Sequence, residues 1–436
     1  MTGTLQLAAY GPLDQLDSGL VRRLFARTQE EDEELPRDTR RILGQVRREG
    51  DSALFRFARE FDGVELDALE VPRSAWDEAL GRLEPSVRES LERAARNIEA
   101  FHRAQIPDEV VLEVEPGIRL GRRFVPLATA GVYAPGGRAA YPSSVLMGVV
   151  PARAVGVQEV VVCSPPAADG RPSEVVMAAA AIAGATRLFS VGGAGAVGAM
   201  AYGTEAIPRC DAVVGPGNRW VVEAKRQVAG EVVIDSPAGP SEVLVLAEEG
   251  EASPALLASE LVAQAEHDPD AAVVFITPSV ALLDRVRDAL SEQVRSLPKG
   301  EVVEAALATQ GALLLAPDRD TMLDFAQTYA AEHLSLCTPS LRGDLDRLTT
   351  SGTVFLGETS SVAFGDYMTG ANHVLPTAGT ARSFSGLSAL NFMRSFTWQE
   401  ISPDAARGLA EPVAILAEAE GLPGHAAAAR MRGGGA

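Results

Sequence analysis

The chain has 436 residues, of which 39 are Lys or Arg and 59 are Asp or Glu, giving a net charge of −20 with 46% hydrophobic residues. That balance excludes a nucleic-acid binder and a protein docked on anionic lipid, since both need clustered positive charge, and the apolar content excludes global disorder. At roughly 100–200 residues per domain, two or three units are expected.

The three cysteines (Cys163, Cys210, Cys337) are widely spaced and form no CxxC pair. A zinc finger, a thioredoxin-type motif and a disulfide framework are therefore excluded, and a reducing cytoplasm fits. The stretch MTGTLQLAAYGPLDQLD has neither the basic nor the apolar region of a signal peptide. The longest uncharged stretch near mid-chain, 188–204, is too short and too Gly-rich to span a membrane.

In chain order, 14–106 reads as helical, as in RDTRRILGQVRR (37–48) and PSVRESLERAARNIEAFHRAQ (85–105). Apolar side chains there recur at helical spacing and charges fill the other face. His102, near the end of the second run, reads as a surface residue. From 128 to 247, short apolar runs (129–134, 159–163, 187–191, 211–215, 231–235, 242–247) alternate with helical stretches at 143–155, 173–185 and 218–228. From 253 to 357 the alternation repeats: helix 253–267, strand 271–277, helix 279–295, strand 311–315, helix 318–331, strand 353–357. Such βα alternation predicts α/β architecture with two parallel sheets and right-handed crossovers. Residues 358–401 read as a long polar connection, a length that usually carries function, and 403–432 as one or two helices broken at GLPG (421–424).

Several motifs bear on chemistry. GAGAVG (193–198) fits GxGxxG, but the acidic residue at the fingerprint's spacing, Asp211, opens a strand instead of closing one. It reads either as a dinucleotide fingerprint or as a Gly-rich turn that approaches a cofactor. PGG (135–137) and GPGN (215–218) are further turns after strand-like runs, where open α/β sheets bind ligands. GxxxxGK[ST], HExxH and a GxSxG elbow around Ser241 are all absent.

Only five histidines occur: His102, His267, His333, His373 and His425. Any imidazole metal site must therefore be completed by carboxylates or amides. Gln264 and His267 are three residues apart and share a helix face. Glu332-His333 joins two proton-transfer groups of different pKa. Asp366 precedes His373 in the long connection, and Glu420 and His425 flank the C-terminal break. A zinc site from Gln264, His267, Asp366 and a further His is chemically sensible. Taken alone, the residues support an α/β enzyme with metal and nucleotide-cofactor dependence both open.

GVYAPGG (131–137), GPGN, IDSPAGPSEV (234–243), QAEH (264–267), AEHL (331–334), GDY (365–367) and NHVLPTAGTARSFSGLS (372–388) together resemble the histidinol dehydrogenase family. The resemblance runs from about 25 to 425. It implies two Rossmann-like parallel-sheet domains with helical N- and C-terminal extensions in an intertwined homodimer. It implies NAD and one Zn²⁺ per subunit, and oxidation of L-histidinol through L-histidinal to L-histidine, the last step of histidine biosynthesis. Related enzymes keep the zinc residues but oxidise other small polar alcohols or diols, which is the alternative. By position the resemblance implies Gln264, His267, Asp366 and His425 as zinc ligands and Glu332 and His333 as the acid–base pair. Ser241 and Glu420 would join His333 and the four ligands in contacting substrate, and Tyr133, Gly195 and Asn218 would contact NAD. The implied layout is an N-terminal segment 1–27, a first α/β domain of 28–132 and 242–386 carrying the catalytic and zinc residues, a second α/β domain 133–241 on the NAD side, and a tail 387–436 reaching the partner. The chain departs from the family in having Gly195 for a cofactor-contacting Gln, Ala331 for Pro before Glu-His, and Asp268 for Gly after QAEH.

Overall fold

The computed structural model describes residues 5–27, 33–136, 140–250, 252–298 and 300–434. Gly137, the last residue of the PGG turn, lies outside them. Two compact units are present: residues 1–105 with 128–392, and residues 106–127 with 393–436.

The larger unit carries two all-parallel sheets. The first has six strands in the order Ala9–Pro12, Gly311–Leu315, Ala272–Thr277, Glu242–Leu246, His333–Leu336, Thr353–Leu356. Its central strand shows why the sheet is buried on both sides. Val243 and Val245 enter one apolar cluster with Leu257, Leu261 and Val286, while Leu244 and Leu246 enter another with Leu24, Phe325 and Tyr329. Side chains alternate across a strand, so an unbroken apolar run requires helices on both faces. Glu242 begins this strand on the Leu244 side, where alternation calls for an apolar residue.

The second sheet has five strands in the order Arg187–Ser190, Glu159–Ser164, Thr129–Tyr133, Ala212–Val214, Val233–Ile234. The helical reading of 14–106 agrees with helices Ser18–Ala26, Glu34–Glu49, Asp51–Phe57, Arg73–Arg82 and Pro85–Arg103. Ile42, Leu43, Val46, Leu54 and Phe57 pack with Phe189, Met200 and Val213 of the five-stranded layer. The expectation had placed 28–132 with the catalytic sheet; helices Glu34–Glu49 and Asp51–Phe57 pack on the other one, whereas Leu24 of Ser18–Ala26 packs on the catalytic sheet. Helical periodicity shows that a helix has a buried face but not which sheet receives it.

Two other readings are corrected. The segment 358–401 is not structureless: Val362–Tyr367 is a helix and Met393–Ile401 a strand. That strand pairs antiparallel with Ile118–Pro126, which also pairs with Val110–Glu115, forming a three-stranded sheet in the smaller unit. His102 is fully buried, with Nδ1 2.8 Å from the Ile98 carbonyl. Among the described residues no helix is long and apolar enough to cross a membrane.

Candidate active site

Glu332 and His333 stand at the beginning of strand His333–Leu336, and Ser241 and Glu242 at the beginning of the adjacent strand Glu242–Leu246. The pair thus lies at the N-terminal strand edge, opposite to the usual ligand-binding edge of an open α/β sheet. Both side chains are buried. The Glu242 backbone touches each of them: its amide donates to Glu332 Oε2 at 2.7 Å, and its carbonyl lies 2.9 Å from His333 Nδ1. A carbonyl only accepts, so His333 carries its proton on Nδ1. Nε2 is left with a bare lone pair, buried and without a hydrogen-bond partner, 3.7 Å from Asp366 Oδ1.

Burial pushes His333 down to about 4, helped by the nearby His267 and His373, so near pH 7 the ring is neutral and its Nε2 lone pair is free to accept a proton. Glu332 is pushed well above the ordinary carboxyl range by burial and by the negative charge of Glu242. His373, half-buried, donates from Nδ1 to the Asp366 carbonyl at 2.9 Å and is also pushed down to about 4 by burial. The imidazole NMR signals of His333 and His373 in metal-stripped protein should therefore stay unmoved from pH 8 to pH 6, where an ordinary histidine titrates near ~6.5. Titration near ~6.5 of a signal lost in His333→Asn would contradict this.

Asp366 sits in the short helix Val362–Tyr367, whose first amide donates to Glu260 Oε2 at 3.0 Å. Glu260 belongs to helix Pro254–Ala265, so one turn beyond this pin lie Gln264 on one helix and Asp366 on the other. Burial and Glu260 push the Asp366 carboxyl up to about 7. Gln264 is buried with its Oε1 unpaired. The helix stops at Ala265, so His267 does not share a helix face with Gln264 as its spacing suggested. It follows in a turn, its amide donating to the Gln264 carbonyl at 3.3 Å. His267 is open to solvent, while the protein around it lowers its pKa. Asp268 accepts from the Asp270 amide at 3.0 Å, which gives this departure from Gly a turn-forming role.

The Gly-rich turns lie at the opposite, C-terminal strand edge of the five-stranded sheet. Gly215 has φ +116°, and a Cβ there would fall 2.1 Å from the Tyr133 carbonyl oxygen, so only glycine fits. A buried ion pair fixes this turn: Lys225 Nζ lies 2.5 Å from Asp235 and donates to the Gly215 carbonyl, while the Gly215 amide donates to Asp235. Asn218 caps helix Arg219–Val228 through Oδ1, which leaves its Nδ2 to donate to a ligand. The Tyr133 hydroxyl accepts from the Gly193 amide at 3.2 Å, and burial pushes its pKa up to about 12.

Gly195 is not in a turn. It lies inside helix Gly193–Tyr202, buried, and a Cβ there would sit 3.1 Å from the Phe57 ring and 3.6 Å from Leu54. A side chain at 195 points into the packing of helix Asp51–Phe57, so a ligand can meet Gly195 only through its backbone. Gly195→Gln is expected to lower Tm through overpacking of about 1–3 kcal/mol and to leave KM for NAD no better. A lowered KM with unchanged Tm would contradict this.

Glu420 and His425 belong to the smaller unit. Glu420 ends helix Pro403–Ala419, and His425 lies in helix Pro423–Arg432. They line a shallow cavity of about 200 Å³ with Val413, Leu416, Ala417 and Leu422. Among the described residues, no group of three or more His, Cys, Asp and Glu gathers where a metal could sit.

The sequence signature of histidinol dehydrogenase matches residues 25–433. The chain belongs to the histidinol dehydrogenase family. It is 50% identical to a histidinol dehydrogenase of Haloarcula marismortui, over 91% of this chain and 93% of that one. It is 47% identical to one of Thermus thermophilus, over 90% and 93%. The crystal structure of a histidinol dehydrogenase from Elizabethkingia anophelis superposes with a TM-score of 0.92 at 31% identity, covering 98% of each chain. The expected α/β fold and family are thereby borne out, and the protein is an oxidoreductase of the histidinol dehydrogenase family.

Sequence reasoning passed over Glu242, Arg27 and the Lys225–Asp235 pair. The signal for Glu242 was present: a carboxylate heading an otherwise apolar central strand, EVLVL.

Proposed function

We propose that this protein oxidises L-histidinol through L-histidinal to L-histidine with two NAD, the last step of histidine biosynthesis, in the cytoplasm. The reading rests above all on the family match along nearly the whole chain. The buried Glu332-His333 pair, with a bare imidazole nitrogen, supplies the chemistry that the reading needs.

His333 Nε2 takes the alcohol proton as hydride leaves the carbon. Glu332, whose raised proton affinity makes it a stronger base than an ordinary carboxylate, takes a proton from the water that adds to the aldehyde. His333 then acts again as base when the hydrated aldehyde loses its second hydride. NAD, when bound, accepts the hydride in each half; Tyr133, Asn218 and the Gly195 backbone are the proposed contacts.

Gln264, His267 and Asp366 suit a zinc ion in donor chemistry: an amide oxygen, an imidazole and a carboxylate. The orphaned Gln264 Oε1 and the raised Asp366 carboxyl are what a cation would satisfy. His425 is proposed as the fourth donor. Bound zinc supplies a template and Lewis acidity that orient the substrate's nitrogens and hydroxyl. Ser241 and Glu420 are proposed to contact the substrate.

We propose that His425 and Glu420 act on the site of a second chain in a homodimer. Leu416 is 67% exposed, and Leu422 and Val413 are exposed beside His425, an apolar surface of the kind that marks an interface. The test is turnover: purified protein with L-histidinol and NAD should release NADH and L-histidine. Silence there, with NADH from another amino alcohol or diol, would select the alternative substrate class.

A further inference from the structure

Glu242 and Arg27 form a fully enclosed ion pair next to the catalytic residues. Arg27 Nη1 lies 2.6 Å from Glu242 Oε2, with both side chains at most 3% exposed. Arg27 Nη2 donates to the Tyr329 carbonyl at 2.6 Å, and its guanidinium lies 3.9 Å from the centre of the Tyr329 ring. Glu242 Oε1 accepts from the Ala378 amide at 2.5 Å, and Oε2 from the Glu332 amide at 3.4 Å. An enclosed ion pair is commonly no more stabilising than apolar residues of the same size. The Leu244 and Leu246 side of the strand would accept such residues.

Backbone strain gathers at the same place. Among the described residues only Arg27, Ala330 and Ala378 combine a side chain with positive φ, at 45°, 53° and 53°. Arg27 holds the Glu242 carboxylate and Ala378 donates to it. Ala330 follows Tyr329, whose carbonyl holds Arg27, and leads into Glu332. Strain that clusters around one side chain is typical of a site where geometry is held against local preference.

We propose that Arg27 and Glu242 are a positioning pair for the aldehyde half of the reaction: Glu242 aims Glu332 and His333 with its amide and carbonyl, its carboxylate sets a fixed negative charge beside Glu332, and Arg27 holds that charge in place. The inference rests on the functional reading above. The charged or titratable groups facing Glu332 are Glu242 from the neighbouring strand, with Arg27 behind it, His333 from its own strand, and Asp366 from helix Val362–Tyr367. The Glu242 side chain neighbours Glu332, whereas His333 is served only by the Glu242 backbone. Removing the side-chain charge should therefore weaken the base that activates water and spare the first hydride transfer.

The test measures L-histidinol and L-histidinal oxidation separately, with Tm and zinc content, for wild type, Glu242→Gln, Glu242→Asp and the uncharged double variant Arg27→Met/Glu242→Gln. Glu242→Gln is expected to slow aldehyde oxidation about 10-fold or more relative to the alcohol step. The acid limb of its pH profile should move down by about one unit, because a neighbouring like charge has been removed. Glu242→Asp should restore both, and the double variant should share the shift without a buried unpaired Arg27. An equal slowing of both halves with an unmoved pH profile and a lowered Tm would overturn the proposal, and so would failure of the double variant to fold. Absence of NADH from wild type would count against the functional reading and not against the pair.

Discussion

Replacing His333 by Ala or Asn should lower turnover by at least about 100-fold, the lower end of what a positioned general base contributes, and leave zinc content at wild-type level. The loss should be large because both halves of the reaction use the same nitrogen. Nε2 is buried, carries no proton and has no hydrogen-bond partner, while Nδ1 is committed to the Glu242 carbonyl. Water cannot readily replace a base at so enclosed a position. Metal analysis of the variant separates the base from a ligand: zinc lost together with activity would mean that His333 coordinates the ion. The Asn variant also shows whether a polar group at the same place can substitute, which a base requirement forbids.

The second large effect concerns His425. His425→Ala should leave zinc substoichiometric after dialysis and lower turnover by more than about 100-fold, since losing even an outer partner of a ligand costs about 10–100-fold. His425 and Glu420 belong to a compact unit distinct from the one holding Gln264, His267 and Asp366. If His425 serves the site of a second chain, two inactive variants can repair one another. Equal amounts of His333→Ala and His425→Ala chains, unfolded and refolded together, form heterodimers for about half of the population. Each heterodimer has one site with both histidines intact, so about one quarter of wild-type activity should return. Activity no higher than that of the separate variants would place His425 in its own chain's site.

Much of the architecture was legible because it follows from local rules. Runs such as EVLVL and AVVFIT are too continuously apolar for a half-exposed strand, and their alternation with helices dictates a parallel sheet covered on both faces. The second compact unit was hidden because its strand Met393–Ile401 pairs with residues more than 250 positions earlier, and its strand Val110–Glu115 is exposed along its whole length, with no buried face to read. Which sheet the helices of 34–103 cover was hidden for the same reason: their apolar stripes are visible locally, while their partners are distant in sequence.

The candidate site divides along similar lines. The Glu-His adjacency and the Gln264–His267 spacing can be seen in the chain, but the direction of the Gly195 side-chain position can be seen only once Phe57 is placed beside it. His102 read as a surface residue because it lies at the end of a helical run; in the fold it is covered from the side, near Asn372, whose amide donates to the Met147 carbonyl at 2.8 Å. Arg27 could not be connected with Glu242 from the sequence, since 215 positions separate them.

The central claim is that one enclosed Glu-His pair carries both oxidations, so that the aldehyde is consumed where it forms. The most direct measurement is the amount of NADH formed per L-histidinol consumed, followed to completion with an aldehyde trap present. Two NADH per L-histidinol, L-histidine as the product and no trapped aldehyde are the predicted result. One NADH with trapped L-histidinal, or no NADH at all, would contradict the account.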